Sequence, residues 1–512
     1  MASVKSIAQR FHLRSKTDVY RRCLSLRRPD FLFETVRHLT SSPLGRTQDQ
    51  RRTHCPQCVK ARLCRLRTSY ITRNFSSKSV FDNQPPSWLF VSGAVAGAYG
   101  AQVNLELGLN ERLTGEPLRK LQENISARKM ELRLDELIQD YNRLLQLKRE
   151  REELIAKRNE LFQQIRALKS QGKSSVDTES LYQEAVAVKQ RIKNSVNQAM
   201  WDLEESVTLR GLKLPNELHE STPLSDASQI LQEKEGTREP QSMNHVEAGE
   251  KHELIKFSNV GPKAYYLKGE LAIAEQALAE LICGYMEKKD YRLIAGPEFF
   301  KTPVLEGCGR DVFDTEGVLT IQHVIKDIVE PMNHLAGVSP MTFAAYMAKL
   351  CVGDARLPFN LFSCGRTYQN SDLPGLFGAM QTTQVGLFSG VTESDVDLQF
   401  EQTIDVVWKL LQSLGFSMRL SLVPVTDLRQ EERRRVELQV FAPSLDSFIP
   451  IGYVSDLGDF VSRRLMTCHN RNHGDIRRAK HLHMISGSAV NITSLLAVWL
   501  EHTDLDQMGI GL

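Results

Sequence analysis

The sequence lacks an apolar run of the length that a membrane-spanning helix requires. The stretch WLFVSGAVAGAYG at 88–100 is apolar but short and rich in glycine and alanine. A spanning helix needs about 20 such residues. We therefore expect a packed N-terminal segment and no membrane anchor.

Cysteine is also sparse, with nine residues scattered over 512. Without a pairing pattern, they are expected to be reduced and mostly buried thiols. His54, Cys55, Cys58 and Cys64 form the one cluster with metal-ligand spacing, and a structural zinc site needs four ligands in a folded knuckle. Because this cluster lies within the presequence-like segment described next, we predict no metal site.

Acidic residues are scarce in the first 80 residues, which hold 18 lysines and arginines against four acids. An arginine-rich, serine-rich and acid-poor start is typical of a mitochondrial transit peptide. We assign the transit peptide to 1–75, with Arg73-Asn74-Phe75 as the cleavage context, and the mitochondrial matrix as the location. The alternative is a basic arm that is retained and binds nucleic acid.

Charge is nearly absent from 362–388, a strand, a polar loop and a returning strand that we call the hairpin. It holds one arginine, Arg366, one acid, Asp372, and no lysine. A hairpin that handled a polyphosphate would carry several cations, since developing negative charge is stabilised by preorganised positive groups. The hairpin therefore argues against that chemistry.

Long helical patterns fill 118–210, which we call the arm. Leucines 154, 161 and 168 are seven apart, which is coiled-coil spacing. A helix over 118–169 and a second over 176–208, joined by a polar turn at 171–175, predict an antiparallel helical hairpin. Residues 76–117 form a separate N-terminal segment.

The first arm helix holds 13 lysines and arginines against nine acids. One interpretation is a solvated face with ion pairs one helical turn apart. The other is phosphate binding, which needs cations on one side of a helix. The candidate nucleic-acid-binding residues are Lys148, Arg149, Arg151, Lys157 and Arg158.

After a polar connector at 211–253, the composition from 254 to 512 is that of a folded core. An amphipathic helix is expected at 269–289, helices at 394–414 and 489–502, and strands near 417–424 and 434–441. These predict an α+β fold, an antiparallel sheet flanked by helices.

We expect EERRR at 431–435 to be an exposed segment that leads into a strand. The histidines of the basic stretch are expected in a solvated loop and not at a metal: His469, His473, His481 and His483.

An arm followed by this core resembles seryl-tRNA synthetase, a class II aminoacyl-tRNA synthetase, over roughly 118–503. The resemblance rests on five stretches taken together. They are LPN (214–216), HEL (252–254), AYYLKGELAIAEQALAELICGYMEKKDYRLIAGPEFF (264–300), DFVSRR (459–464) and ISGSAV…LLAVWLE (485–501).

The resemblance implies a site in which arginines clamp ATP, carboxylates hold magnesium, and serine is activated. This chain departs from that pattern. Arg366 matches the arginine of the second motif and is interpreted as a remnant of the ATP site. Other residues stand where the family has charged, polar or stacking groups: Tyr368, Gly378, Met380, Thr382, Gln384 and Gly386. Gln439 and Pro450 replace the two carboxylates, Ser494 the third-motif arginine, and Ala344 the glutamate after Thr342 in the Thr-x-Glu element.

These departures predict no catalytic residues, no ATP or other cofactor, and a pattern similar to the non-catalytic seryl-tRNA synthetase-like proteins of insect mitochondria. The first hypothesis is binding of tRNA, serine tRNA included, or of other mitochondrial nucleic acid by the arm. The second is dimerisation through 264–300. The partner is either an active mitochondrial seryl-tRNA synthetase, which gives a heterodimer, or a second copy of this chain, which gives a homodimer. The alternative is a divergent but active serine–tRNA ligase.

Overall fold

Among the described residues, helices dominate from 105 to 212 and strands dominate from 229 onward. The computed structural model describes residues 86–90, 105–170, 175–261, 263–312, 314, 318–321, 331–470 and 479–505. Several predictions lie outside these residues: the transit peptide, the His54–Cys64 cluster, most of 88–100, the polar turn between the arm helices, and His473. Within them, no helix is long and apolar enough to cross a membrane.

Four helices form the arm in the described residues, and a short helix of the N-terminal segment precedes them. The single helix predicted over 118–169 is wrong, because residues 128–133 divide it into two helices. A single π-helical turn, Ile192–Val196, interrupts the returning helix. The helices are α1 Leu109–Arg112, α2 Gly115–Ala127, α3 Leu134–Ser170, α4 Ser175–Arg191 and α5 Asn197–Leu212.

After the arm, the described residues contain seven further helices and sixteen strands, of which the strand at 229–234 and the helix at 245–251 lie in the connector. The helices are α6 His245–Lys251, α7 Gly269–Glu287, α8 Thr302–Gly307, α9 Pro340–Met347, α10 Val396–Gln412, α11 Phe460–Leu465 and α12 Ile492–Glu501. The strands are β1 Gln229–Lys234, β2 Ile255–Ser258, β3 Ala264–Leu267, β4 Tyr291–Leu293, β5 Phe299–Lys301, β6 Leu319–Ile321, β7 Asn333–Leu335, β8 Cys351–Gly353, β9 Phe359–Tyr368, β10 Gln381–Val391, β11 Met418–Leu422, β12 Arg434–Ala442, β13 Ser447–Gly458, β14 Cys468–Asn470, β15 Lys480–His481 and β16 His483–Asn491.

Eight strands form one sheet in the order β1-β11-β12-β13-β16-β10-β9-β4. Its neighbours are antiparallel except β4 and β9, so the predicted α+β class with a flanked antiparallel sheet is confirmed. The connector is less irregular than expected, because β1 within it pairs with β11 at the sheet edge. The long strands β13 and β16 are absent from the sequence prediction.

The two faces of this sheet carry different cores. Strand residues alternate between faces. One face, with Phe362, Val385 and Leu387, packs against α7, α10 and α12. The other, with Leu361, Phe388 and Met484, packs against α8, α9 and α11. We call them the α7 face and the α9 face.

Three polar predictions are wrong in detail. The EERRR segment is not exposed, since Glu431, Glu432 and Arg434 are buried. His469 is also buried and pairs with Asp354 at 2.7 Å. Of the described cysteines, all free thiols, Cys308 alone is buried. A polar run is buried here because tertiary partners supply its hydrogen bonds.

Candidate functional site

Arg366, the one arginine of the hairpin, lies on the α7 face. It is directly opposite Thr383 in the β9–β10 ladder. Its Nη1 lies 3.0 Å from Glu275 Oε1 on α7 and 2.6 Å from Thr383 Oγ1. Thr383 in turn donates to Glu275 at 2.6 Å. The guanidinium is thereby neutralised within a closed set of hydrogen bonds.

Gln384 and Gly386 face the other way, onto the α9 face, with Gly365 of β9. Side-chain direction alternates with a period of two, so a residue opposite Thr383 cannot share a face with Gln384. The sequence comparison places Arg366 and Gly386 in one site, whereas the structure separates them by the thickness of the sheet. Arg366 therefore makes its ion pair and hydrogen bonds on the α7 face, opposite to Gln384 and Gly386.

Val338 fills the α9 face at this point. A Cβ atom at Gly386 would lie 2.9 Å from Val338 Cγ1, and one at Gly365 would lie 3.2 Å from Val338 Cγ2. The Val338 amide donates to Arg366 O at 2.7 Å, and the Gln384 side-chain amide donates to Val338 O. Because the two glycines have no side chains, Val338 packs directly on both strands. Its side chain leaves no space for a ligand there.

Helix α9 closes the same face from the side. Phe343 is fully buried and stacks on Phe388 with ring centroids 5.5 Å apart. Thr342, which aligns with the threonine of the family's Thr-x-Glu element, donates to Gly337 O at 2.9 Å and forms a capping box with Ser339. Ala344 is buried and offers no carboxylate. The groups that the family uses for the amino acid are absent or occupied.

The hairpin loop is pinned to the core beneath it. The Leu376 amide donates to His245 Nε2 at 3.1 Å, and His245 Nδ1 lies 2.6 Å from Glu501 Oε1. Because Nε2 accepts, the neutral ring carries its proton on Nδ1 and donates it to Glu501. A Cβ atom at Gly378 would lie 1.6 Å from Leu373 O, so this loop conformation requires a glycine.

The positions aligned with the metal carboxylates are Gln439 and Pro450, which are opposite each other on β12 and β13. Gln439 accepts from Arg419 Nε at 2.8 Å and donates to Glu437 at 2.9 Å. Proline has no side-chain ligand for magnesium, which prefers oxygen donors. Ser494 is buried and uncharged. These residues do not fit a magnesium–ATP site. In the described ranges, no group of three or more histidine, cysteine or acidic side chains could hold a metal.

A small cavity of about 10 Å³ lies between α9, α11 and the sheet, roughly enough for one water molecule. Glu431 lines it and has one buried carboxylate oxygen without a hydrogen-bond partner. Burial raises the pKa of Glu431, although Arg310 opposes this shift. The cavity is too small for an amino acid.

The five candidate cations of the arm do not share one face of α3. Arg151 and Arg158 lie between the buried residues Leu144 and Ile165 in a series whose members are seven residues apart. This series lies at the seam between the helices. Arg151 donates to Asn197 at 3.0 Å, while the Nε of Arg158 is buried without a partner. Such polar residues at core heptad positions fix helix register.

The other three candidates are exposed. Lys148 and Lys157 make ion pairs with Glu204 at 3.2 Å and Glu184 at 2.7 Å. Arg149 has no ion pair within the described part of the chain. The structure thus leaves their binding to nucleic acid a prediction.

The arm is fixed to the core through a polar joint that the sequence did not predict. Arg128, in the break between α2 and α3, donates to the carbonyl oxygens of Arg429 and Glu432, each at 2.7 Å. Asn216, in the LPN stretch, donates to Glu431 O and Leu457 O at 2.8 Å. These hydrogen bonds join the break between α2 and α3 and the LPN stretch to the buried EERRR segment and its neighbours.

Comparison with known proteins agrees with this architecture. Residues 331–503 match the family described as "tRNA synthetase class II core domain (G, H, P, S and T)". The chain is 26% identical over 394 residues to the serine–tRNA synthetase-like protein Slimp of Drosophila melanogaster, covering 75% of this chain and 82% of that protein. It is 26% identical over 406 residues to the mitochondrial serine–tRNA ligase of Mus musculus, covering 75% and 77%.

Among solved structures, the fold matches seryl-tRNA synthetase from Pyrococcus horikoshii complexed with ATP. The TM-score is 0.66 at 17% identity, over 81% of this chain and 94% of that one. The chain thus carries a class II tRNA synthetase core domain at 331–503, its sequence is similar to seryl-tRNA synthetases, and the likeness to the solved structure shows that it shares their fold.

Proposed function

We propose that this chain is a non-catalytic, mitochondrial seryl-tRNA synthetase-like protein that binds RNA through its arm and pairs with an active synthetase. The observation that carries the non-catalytic part is the packing of Val338 on Gly365 and Gly386, since Gly386 stands at the site where the second motif of the family has a glutamate. The pairing of Arg366 with Glu275 on the opposite face supports it, because the remaining cation of the second motif is directed away from that site.

The test is serine-dependent exchange of pyrophosphate into ATP, with titration calorimetry of ATP. An active mitochondrial serine–tRNA ligase is the positive control. We expect no exchange above background and no heat of ATP binding. Exchange that requires both serine and ATP would support the alternative, a divergent active ligase.

RNA binding by the arm is supported by its preserved length and by cations that lack ion pairs. Contacts to phosphates and RNA shape need no catalytic core. The measurement is binding of serine tRNA to the intact protein as salt increases, since affinity falls with salt in proportion to the number of phosphates contacted. Affinity that does not depend on salt would contradict this proposal.

Pairing with a synthetase subunit is supported by exposed apolar side chains on and beside α7. Ile273 and Leu281 are 56% and 53% exposed, and Tyr266 on β3 is 52% exposed. The test is co-expression with mitochondrial seryl-tRNA synthetase, followed by light scattering. Ile273→Glu should abolish the complex, whereas Leu398→Glu, at a similarly exposed site on α10, should not.

A further inference from the structure

The arm exposes large apolar side chains near the end where α3 leads into α4. Phe162 is 40% exposed, Tyr182 52% and Val186 40%. Each lies within one turn of a residue buried between the helices, so the helix hairpin does not need them for its own seam. Exposed aromatic groups clustered in this way indicate a binding surface.

These side chains lie on one side of the arm. The ion pairs Lys157–Glu184 and Arg191–Glu150 bridge the helices on the opposite side and set their antiparallel register. Successive residues are rotated by about 100° around a helix axis. Phe162, which follows the buried Leu161, therefore lies on the side of the seam opposite to Lys157. In this register, Tyr182 lies about one turn from Phe162.

Unpaired cations occupy the same side. Residues three or four apart share a helix face. Phe162 and Arg166 are therefore neighbours on α3, while Tyr182, Val186, Lys189 and Lys193 follow one another from α4 into the π-helical turn. Arg166, Lys189 and Lys193 are exposed. In the part of the chain that the structure describes, none has a carboxylate within the 4.0 Å of an ion pair.

The two sides of the arm thus differ in whether their cations are paired with carboxylates. The far side neutralises Lys157 and Arg191 with glutamates, whereas the near side keeps its cations free around aromatic rings. We call the near side the aromatic stripe, comprising Phe162, Arg166, Tyr182, Val186, Lys189 and Lys193. From Arg166 to Lys193 it spans roughly 27 Å at 1.5 Å per residue.

We propose that the aromatic stripe binds unpaired bases of an RNA loop or single-stranded tail, which stack on Phe162 and Tyr182 while the cations contact the adjoining phosphates. This inference rests on the proposed RNA binding by the arm and defines its ligand as unpaired rather than duplex RNA. Aromatic rings with flanking cations recognise splayed bases. A protein partner or a second copy of the chain would bury the apolar groups without requiring free cations.

The experiment uses the intact protein and two fluorescent probes, a 20-nucleotide oligouridine and an RNA duplex of equal length. The variants are Phe162→Leu with Tyr182→Leu, which keep apolar area without a ring, and Phe162→Trp with Tyr182→Phe, which keep the ring. Arg191→Ala on the far side, where Arg191 pairs with Glu150, is the matched charge control. Thermal unfolding by circular dichroism establishes that the helices remain intact.

We expect tighter binding of oligouridine than of duplex, and a loss of roughly tenfold or more in oligouridine affinity for the leucine variants, as stacking energies predict. The ring-preserving variants and Arg191→Ala should stay within about twofold. Unchanged affinity of the leucine variants, or preference for duplex, would overturn the inference while RNA binding by the arm stands. No binding of either probe or of serine tRNA would reject RNA binding itself. Self-association that the leucine variants abolish would identify a second copy as the occupant and overturn the inference.

Discussion

Glu275 of α7 pairs with Arg366 of β9 on the α7 face of the sheet, with Glu275 Oε1 and Arg366 Nη1 3.0 Å apart. Thr383 bridges the two and completes the set. The glutamate side chain is 12% exposed and the arginine side chain 38%, so the carboxylate is largely removed from water while the guanidinium keeps partial contact with it. This arrangement uses the arginine to join the hairpin to α7.

Replacing Glu275 with glutamine should destabilise the protein without creating ATP binding. A half-buried arginine would lose its charge partner, which costs about 1–3 kcal/mol of unfolding free energy. The measurement is urea unfolding, with Glu280→Gln as the control at an exposed position of α7. ATP binding by the Glu275→Gln protein would show that Arg366 can still serve a nucleotide.

Restoring the family's glutamate as Gly386→Glu should also destabilise the protein. The new side chain would collide with Val338 and bury a carboxylate, so we expect a loss of about 2–4 kcal/mol. Val338→Gly alone should cost about 1–3 kcal/mol through the cavity that it leaves. If Val338 occupies the old site, the double variant will lose less than the sum of the single losses. Strict additivity in urea unfolding would contradict this packing.

Gly378→Ala should disrupt the hairpin loop, because its Cβ would lie 1.6 Å from Leu373 O. The loop must shift and release Leu376 from His245, for an expected loss of about 2 kcal/mol or more. Gly284→Ala on α7 is the control, since nothing lies within 4 Å of its Cβ and alanine favours helix by about 1 kcal/mol. Equal stability of both variants in thermal unfolding would refute the pinned loop.

Acidification should reduce stability through His334, which is fully buried between Thr302 and Thr320. Burial lowers the pKa of His334 below its usual 6.5, so the folded protein binds this proton less readily than the unfolded chain. Its stabilising contribution is complete above pH 6.5 and is lost as pH falls below that value. His334→Asn should flatten the pH dependence of unfolding between pH 6.5 and 5. His481→Asn, at a partly exposed histidine, is the control.

Replacing Arg158 with leucine should stabilise the arm. This residue occupies a seam position where its Nε is buried without a partner, and an apolar side chain there would add roughly 1–2 kcal/mol. Thermal unfolding followed by helical circular dichroism measures the effect, with Lys157→Leu as the exposed control. A lower melting temperature for Arg158→Leu would mean that its guanidinium has a partner at the seam.

The sequence by itself determined much of the architecture. Heptad leucines and a polar turn predict the arm, the apolar stripe of 269–289 predicts α7, and the charge-poor hairpin predicts two strands with few groups for a nucleotide. These signals are local, since periodicity and turn chemistry act over a few residues. The resemblance to the synthetase family marks Gln439 and Pro450 as positions that lack the expected carboxylates.

Only the tertiary structure decided which face each residue occupies. Arg366 and Gly386 belong to one motif in sequence, but the register of β9 against β10 puts them on opposite faces, since a shift of one residue reverses every side chain. Arg128 and Asn216 bury the EERRR segment because hydrogen bonds from distant residues satisfy its backbone. Whether Val338 or a ligand covers Gly365 and Gly386 depends on contacts between residues far apart in the chain, which no local pattern encodes.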